Sequence, residues 1–269
     1  MHNKLKKFTL NFLGCQVKKI NTILNSSKMK ILSKNETKFD PVTSADVNIN
    51  KLIINKIKKS FSNHSIISEE VDNIYIKSSN YKWFIDPIDG TKNLILGLKY
   101  YAVLIGLYYK NKPIYSLIFY PSLNEVYFSI INQSFYVNTL NNKIIKIKNL
   151  KNRIKKIKIL KVISNTKNTL KSKKISDFLS DDQILFKITG ADSMNYILLA
   201  TNRIDIVIED GLKNIDILPL MNFLQINNVD FINWDNNKQI FKSNNSLIFF
   251  KKNKKNTIFV KKFLNLFKS

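Results

Sequence analysis

Asp86-Pro87-Ile88-Asp89-Gly90-Thr91 follows directly on an apolar run, Tyr81 to Ile85, and sets two carboxylates, a proline-fixed turn and a Gly-Thr pair side by side. Carboxylates three apart across a tight turn can converge on hard divalent cations, which take oxygen ligands and leave positions for water or a phosphate oxygen. Pro87 fixes its own φ and drives Asp86 toward an extended conformation, while Gly90 permits close backbone approach. A helix beginning at Thr91 would turn its free N–H groups toward an anion. Alone, a D-x-x-D pair is common on surface turns, so the rest of the chain decides its meaning.

Three further segments repeat the theme. Asp40-Pro41-Val42-Thr43-Ser44-Ala45-Asp46 and Ser68-Glu69-Glu70 lie upstream, the latter closing a short strand around Ser65 to Ile67. Glu209-Asp210-Gly211-Leu212-Lys213-Asn214-Ile215-Asp216 lies downstream, after the apolar strand Ile204 to Ile208. Nine of the 19 acidic residues fall in these four segments. In so basic a chain, acids gathered just after apolar strands point to a shared site rather than to solvated decoration.

These motifs, in this order and spacing, resemble the inositol-monophosphatase superfamily of magnesium-dependent, lithium-sensitive phosphatases, whose pattern reads D-x-V-T-x-A-D, G-E-E, D-P-[IL]-D-G-T and [WY]-D. The resemblance runs from about Lys34 to Asp235, with Ser68 standing for the usual glycine of the second motif. Gly190-Ala191-Asp192-Ser193-Met194-Asn195-Tyr196, Ile204 to Glu209, and Gly211-Leu212-Lys213 are similar to the histidinol-phosphate phosphatase branch, as are Leu104 to Leu107 and Ile232-Asn233-Trp234. The chain departs from that branch at Asn214-Ile215, where a proline-aromatic pair is usual, at Met194, which replaces an aromatic, and at Asn227-Asn228-Val229, which replaces Ala-Gly-Gly. Asparagine tolerates left-handed backbone better than most residues, so the last turn is expected to survive.

The resemblance implies a two-domain layered α-β-α-β-α sandwich, an α/β fold with an α+β N-terminal half, and a magnesium-dependent phosphomonoesterase. It implies that Glu69, Asp86 and the carbonyl of Ile88 hold one metal and Asp86, Asp89 and Asp216 another, of two or three magnesium ions. Glu69 with Thr91 would orient and deprotonate the attacking water, the N–H groups of Gly90 and Thr91 would hold the phosphate, and Glu70 and Asp40 would steady the ligands. Histidinol phosphate is the expected substrate; inositol-1-phosphate and a 3′(2′),5′-bisphosphate nucleotide are the alternatives. If the start of the helix at Ala191 and the end of the strand at Ile208 both face the metals, Asp192 and Glu209 line the leaving-group pocket; otherwise Asp192 merely caps its helix. Asp46 reads as a first-turn helix acid, Thr43 as a cap, and Asp205 as structural. His2 and His64 have no second histidine at ligand spacing and are expected at the surface. Tyr100-Tyr101 and Tyr108-Tyr109 fit strand ends.

At 269 residues with 44% hydrophobic composition, the chain can bury a substantial core. No apolar run reaches the roughly 18 to 20 residues of a membrane span, and the one cysteine, Cys15, fits a reducing compartment, so a cytoplasmic protein with no membrane partner is expected. Lysines before Phe8 to Cys15 faintly imitate a lipoprotein signal, but Phe8, Phe12, Cys15 and Ile23 at helical spacing favour an amphipathic first helix. The formal charge of +25 invites a nucleic-acid reading, including a catalytically inactive basic protein that keeps the fold. All but two basic residues, Arg153 and Arg203, are lysine, however, and arginine is the usual choice for bidentate contacts. A small phosphate monoester is therefore the expected partner, specific nucleic acid is not, and a homodimer is left open.

Periodicity predicts a helix over Val42 to Ile57, then an antiparallel meander of Ala102 to Tyr109, Pro113 to Tyr120, Glu125 to Ile130 and Ser134 to Val137, with turns at Asn111-Lys112 and Ser122 to Asn124. Asn141 to Lys158 reads as a lysine-rich solvated run, placing a domain boundary near Leu150 between residues 1–150 and 151–269. Beyond it, strands Ile159 to Ile163, Ile184 to Ile188 and Ile204 to Ile208 alternate with helices Asn168 to Leu179, Ala191 to Ala200 and Asp216 to Gln225, an α/β layout.

Overall fold

Along β5 (Ala102–Tyr109) every side chain up to Tyr108 is buried, odd and even positions alike, which requires packed layers on both faces of the strand. The computed structural model, which describes residues 1–26, 30–33, 41–70, 72–149, 159–164, 173–234 and 245–266, supplies those layers. Val103, Ile105 and Leu107 face one core, with the N-terminal helices; Ala102, Leu104 and Tyr108 face another, which is shared with the second half of the chain.

The outer layer is α1 (His2–Asn11), a π-helical turn (Phe12–Gln16), α2 (Val17–Leu24) and α3 (Ser44–Ser60). Leu5, Phe8, Phe12, Val17 and Ile20 are buried, whereas Cys15 is exposed and Ile23 half-buried, unlike the expected stripe. Through the π turn the buried positions after Phe12 are Gln16 and Val17, and Cys15 is left outside. Between these helices and α3, β1 (Ile31–Ser33) pairs antiparallel with β2 (Pro41–Thr43). α3 starts two residues later than expected because Thr43 and Asp46 cap it reciprocally: Asp46 N donates to Thr43 Oγ1 at 3.3 Å and Thr43 N to Asp46 Oδ2 at 2.7 Å.

A seven-stranded sheet forms the second layer, in the order β3 (Ser65–Ser68), β4 (Tyr81–Asp89), β5, β6 (Lys112–Tyr120), β7 (Glu125–Ile130), β8 (Gln133–Asn138), β9 (Lys143–Lys146). β3 runs parallel to β4 and every later pairing is antiparallel. The β5–β6 turn is Lys110-Asn111, one residue earlier than expected, with both φ values positive as a tight hairpin demands. β9 grows out of the run read as a solvated coil: Ile144 and Ile145 suffice to add an edge strand flanked by lysines. The boundary expected near Leu150 lies outside the described residues.

The second sheet runs β11 (Ile184–Ile188), β10 (Leu160–Ser164), β12 (Ile206–Leu212), β14 (Asn245–Lys251), β13 (Val229–Asn233). β10 is parallel to β11 and β12, while β14 runs antiparallel to β12 and β13. Its outer face packs on α5 (Lys173–Leu179) and α9 (Lys254–Asn265), and its inner face joins α6 (Asp192–Ala200) in the shared core. The helix expected from Asp216 to Gln225 is divided into α7 (Asn214–Ile217), a 3₁₀ turn (Leu218–Leu220) and α8 (Met221–Ile226), because Pro219 removes a donor. A Cβ on Gly106 would lie 2.5 Å from Pro219 Cα, so glycine lets β5 approach this turn. Asn228 adopts φ 57° at the turn where the family pattern has glycine. The result is an α-β-α-β-α layering. Among the described residues no helix is long and apolar enough to cross a membrane.

His64, expected at the surface, is buried. Trp83 Nε1 donates to its Nδ1 at 3.0 Å, and the ring stacks on Tyr81 at 4.4 Å and on Phe61 at 5.0 Å between centroids. The aromatic neighbours, not any ligand, account for its position; burial pulls its pKa down to about 4.

Candidate active site

The β4 motif lies inside the strand's end rather than after it. Pairing with β5 slips between Asp86 and Asp89, where Pro87 has no N–H to give, and Ile88 N turns inward to donate to Asp86 Oδ1 at 3.0 Å. Gly90 then takes φ 81°, and a Cβ there would lie 2.8 Å from Tyr100 O, so the turn admits only glycine without strain. α4 (Thr91–Ile95) follows, with Gly90 and Thr91 at the corner. Thr91 Oγ1 reaches Ile88 O at 3.0 Å and Asp46 Oδ1 at 3.2 Å. Asp46 is thus more than a helix acid: its second oxygen reaches into the site, a contact hidden from sequence because it spans two distant segments.

β3 delivers Glu69 alongside β4, its N–H donating to Ile85 O at 3.2 Å. Ser68, the residue in place of glycine, donates its hydroxyl to Asn50 Oδ1 at 2.7 Å. From the second half, β12 breaks register between Glu209 and Leu212 and leads into α7, where Asp216 Oδ2 accepts Lys213 N at 2.9 Å. One carboxylate oxygen each of Glu69, Asp86 and Asp216 lie within 4.8 Å of one another, and Lys213 Nζ stands 3.5 Å from Glu69. Asp89 stands beside this trio, with one oxygen turned to α6: its Oδ2 accepts Ser193 N at 3.0 Å and the Ser193 hydroxyl. Glu70 is half-buried next to Glu69; Asp40 and Asp235 lie outside the described residues.

Gathering these acids is electrostatically costly. Burial first, then Glu69 and Asp89, hold Asp86 well above the usual carboxylate range, and burial with Glu69 raises Asp216 to about 7. Asp89 is also raised by burial, and the Ser193 donors offset part of that. A cation neutralises such a set. The donors are all oxygens, which suits a hard ion such as magnesium and not a thiolate- or imidazole-seeking metal. The residues therefore fit the implied metal.

Asp192 and Glu209 form a second acidic pair. Glu209 is buried and accepts Asn195 Nδ2 at 3.3 Å, whereas Asp192 Oδ1 is sealed from solvent with no hydrogen-bond partner, as is the Tyr196 hydroxyl. Burial, then Glu209, Asp89 and Asp216, push Asp192 well up, so this pair shares the field of the trio. Asp192 makes no capping hydrogen bond of its own on α6. Asn195 was not singled out from sequence, although i, i+3 spacing from Asp192 puts both on one helix face. Asp205 is structural as expected, accepting Lys161 N at 2.9 Å.

Comparison with known proteins places these observations. The model described as "Inositol monophosphatase family" matches residues 13–225. The chain is 29% identical over 224 residues to the bifunctional phosphatase IMPL2, chloroplastic, of Arabidopsis thaliana, covering 82% of this chain and 62% of that protein. It is 29% identical to the Nus factor SuhB of Haemophilus influenzae, covering 65% of this chain and 64% of the relative. The match thus spans just under two thirds of the length of these two curated relatives. Among solved structures, an IMPase/NADP phosphatase complexed with Mg2+ and phosphate superposes with a TM-score of 0.75 at 20% identity, covering 96% of this chain and 94% of that one.

Proposed function

The chain belongs to the inositol monophosphatase family, and from that premise we propose that it is a magnesium-dependent phosphomonoesterase acting on histidinol phosphate. The observation that carries the reading is the trio of Glu69, Asp86 and Asp216 oxygens within 4.8 Å at the meeting of the two sheets. Phosphate-monoester hydrolysis asks a protein to neutralise charge, position water and hold the leaving oxygen in line. When bound, magnesium supplies Lewis-acid stabilisation of the phosphoryl oxygens and a water of lowered pKa.

The side chains do the rest. Glu69, Asp86, Asp89 and Asp216, with the Ile88 carbonyl, are the proposed ligands. Thr91 Oγ1 donates toward Asp46 Oδ1 at 3.2 Å, so its lone pair can accept a hydrogen bond from the attacking water, and it can take the water's proton as it passes its own to Asp46. Glu69 shares that task, and the Gly90 and Thr91 N–H groups face the phosphate. Water oxygen bonds to phosphorus as the ester oxygen leaves with the bond pair and takes up a proton.

The Asp192 and Glu209 carboxylates support a cationic leaving group. Histidinol phosphate brings an ammonium and a titratable imidazole, each able to donate to the partly exposed Asp192 carboxylate by a charge-assisted bond. Inositol phosphates bring only hydroxyls. Phosphate release from histidinol phosphate should appear on adding magnesium to metal-stripped protein and vanish in excess chelator; release undiminished by the chelator would sink the proposal.

A further inference from the structure

Asp89 does not stand free beside the acidic trio. It belongs to the end of β4, but its Oδ2 accepts both the N–H and the hydroxyl of Ser193, the second residue of α6. α6 has Ala191 at its own cap position, with no side chain to offer its first-turn N–H groups, so Asp89 serves as the cap from another strand. Behind Ser193 sits Tyr120, the last residue of β6, whose hydroxyl donates to Ser193 Oγ at 3.0 Å. Tyr120 and Ser193 are fully buried, and Tyr120 is held edge-on against Tyr127 with centroids 6.2 Å apart.

The direction of these bonds matters. A serine hydroxyl has one proton. Ser193 Oγ accepts from Tyr120, so its own proton goes to Asp89. With Oδ2 committed to Ser193, only Oδ1 of Asp89 remains to face a cation. We propose that Ser193 and Tyr120 are positioning residues that hold Asp89 as a one-oxygen metal ligand, locking its carboxylate plane through a buried Tyr-Ser-Asp chain. The chain also fixes the first turn of α6, and with it Asp192, relative to the metal site, so cation binding and the pocket wall share one support.

This inference rests on the reading of Asp89 as a magnesium ligand, and calorimetric titration of magnesium into the metal-stripped full chain separates the two. Outer partners of metal ligands typically contribute about ten- to a hundredfold in affinity. Ser193→Ala should weaken magnesium binding by about that factor, and Tyr120→Phe, which leaves the serine hydroxyl free to rotate, by roughly threefold or more. At saturating magnesium, KM for a phosphate ester without a cationic group should stay at the wild-type value. Melting curves in chelator report whether each variant folds, and if Ser193→Ala does not, Tyr120→Phe carries the test. Weakened binding in Asp89→Asn together with wild-type affinity in Ser193→Ala or, failing that, in Tyr120→Phe would overturn the positioning role. Wild-type affinity in Asp89→Asn would instead overturn the ligand reading beneath it.

Discussion

The ends of β4 and β12 both lose register and both deliver acids to one place, yet they are finished differently. At β4, Asp86 accepts Ile88 N and Asp89 accepts two donors from Ser193, so both carboxylates are aimed by the protein. Within β12, Glu209 takes one amide at 3.3 Å, and Asp192 beside it on α6 has an oxygen with no hydrogen-bond partner. Aimed carboxylates suit a resident cation, whose geometry is fixed; an unfilled acceptor suits something that comes and goes. The difference separates the chemistry of the site from its selectivity.

The strongest way to break that division is at β4. Asp86→Asn removes a charge from the centre of the trio and should lower kcat/KM at least about a hundredfold for every phosphate ester tried, a loss of several kcal/mol of Lewis-acid stabilisation. A loss confined to one substrate would put Asp86 in the wrong class. On the other side, Asp192→Asn should cost about ten- to a hundredfold in kcat/KM for histidinol phosphate, matching about 1.5–3 kcal/mol for a charged hydrogen bond. A phosphate ester without a cationic group should be cleaved nearly as before; equal losses on both would merge the two regions.

A smaller effect lies in the pH dependence of stability. Asp216 is raised in the folded, metal-free protein to about 7 from 3.8. A raised carboxylate contributes stability that is present below its unfolded pKa and is lost as pH climbs through the folded one. In chelator, melting temperature should therefore fall as pH rises from about 4 to about 7 and level off above, and magnesium or Asp216→Asn should reduce that slope. His64 works in the opposite sense over the same range: its lowered pKa costs stability as pH falls from 6.5 toward about 4, so the Asp216 part is read as the difference between wild type and Asp216→Asn. The smallest expected effect is on the exterior. The lysines should give duplex DNA binding that is indifferent to sequence and falls steeply with salt; a sequence-dependent complex surviving well above physiological salt would show the charge to be a recognition surface.

Much of this was legible in the chain because its signals are local. Proline and glycine around Asp86 and Asp89, the Thr43-Asp46 cap and the apolar runs of strands β5 to β8 each follow from residues a few positions apart. What escaped depends on distant segments meeting. Nothing near Thr91 says that Asp46 will touch it, nothing near Ser193 says that Asp89 and Tyr120 will, and His64 looked exposed because its cover, Phe61, Tyr81 and Trp83, assembles only in the sheet. The π turn that turns Cys15 outward and the break at Pro219 are phase effects, where a regular period was carried one turn too far. The C-terminal strands β13 and β14 were hidden by lysine and asparagine, which mask a short apolar alternation.

The central claim is that one site combines magnesium-dependent phosphate release with a pocket wall that selects a cation. A side-by-side determination of kcat/KM for histidinol phosphate, inositol-1-phosphate and a 3′,5′-bisphosphate nucleotide, each with and without magnesium, tests both halves together. The account predicts release only with magnesium and a preference for histidinol phosphate of about tenfold or more, the worth of one charged hydrogen bond. Release without metal, or inositol-1-phosphate cleaved as well as histidinol phosphate, would contradict it.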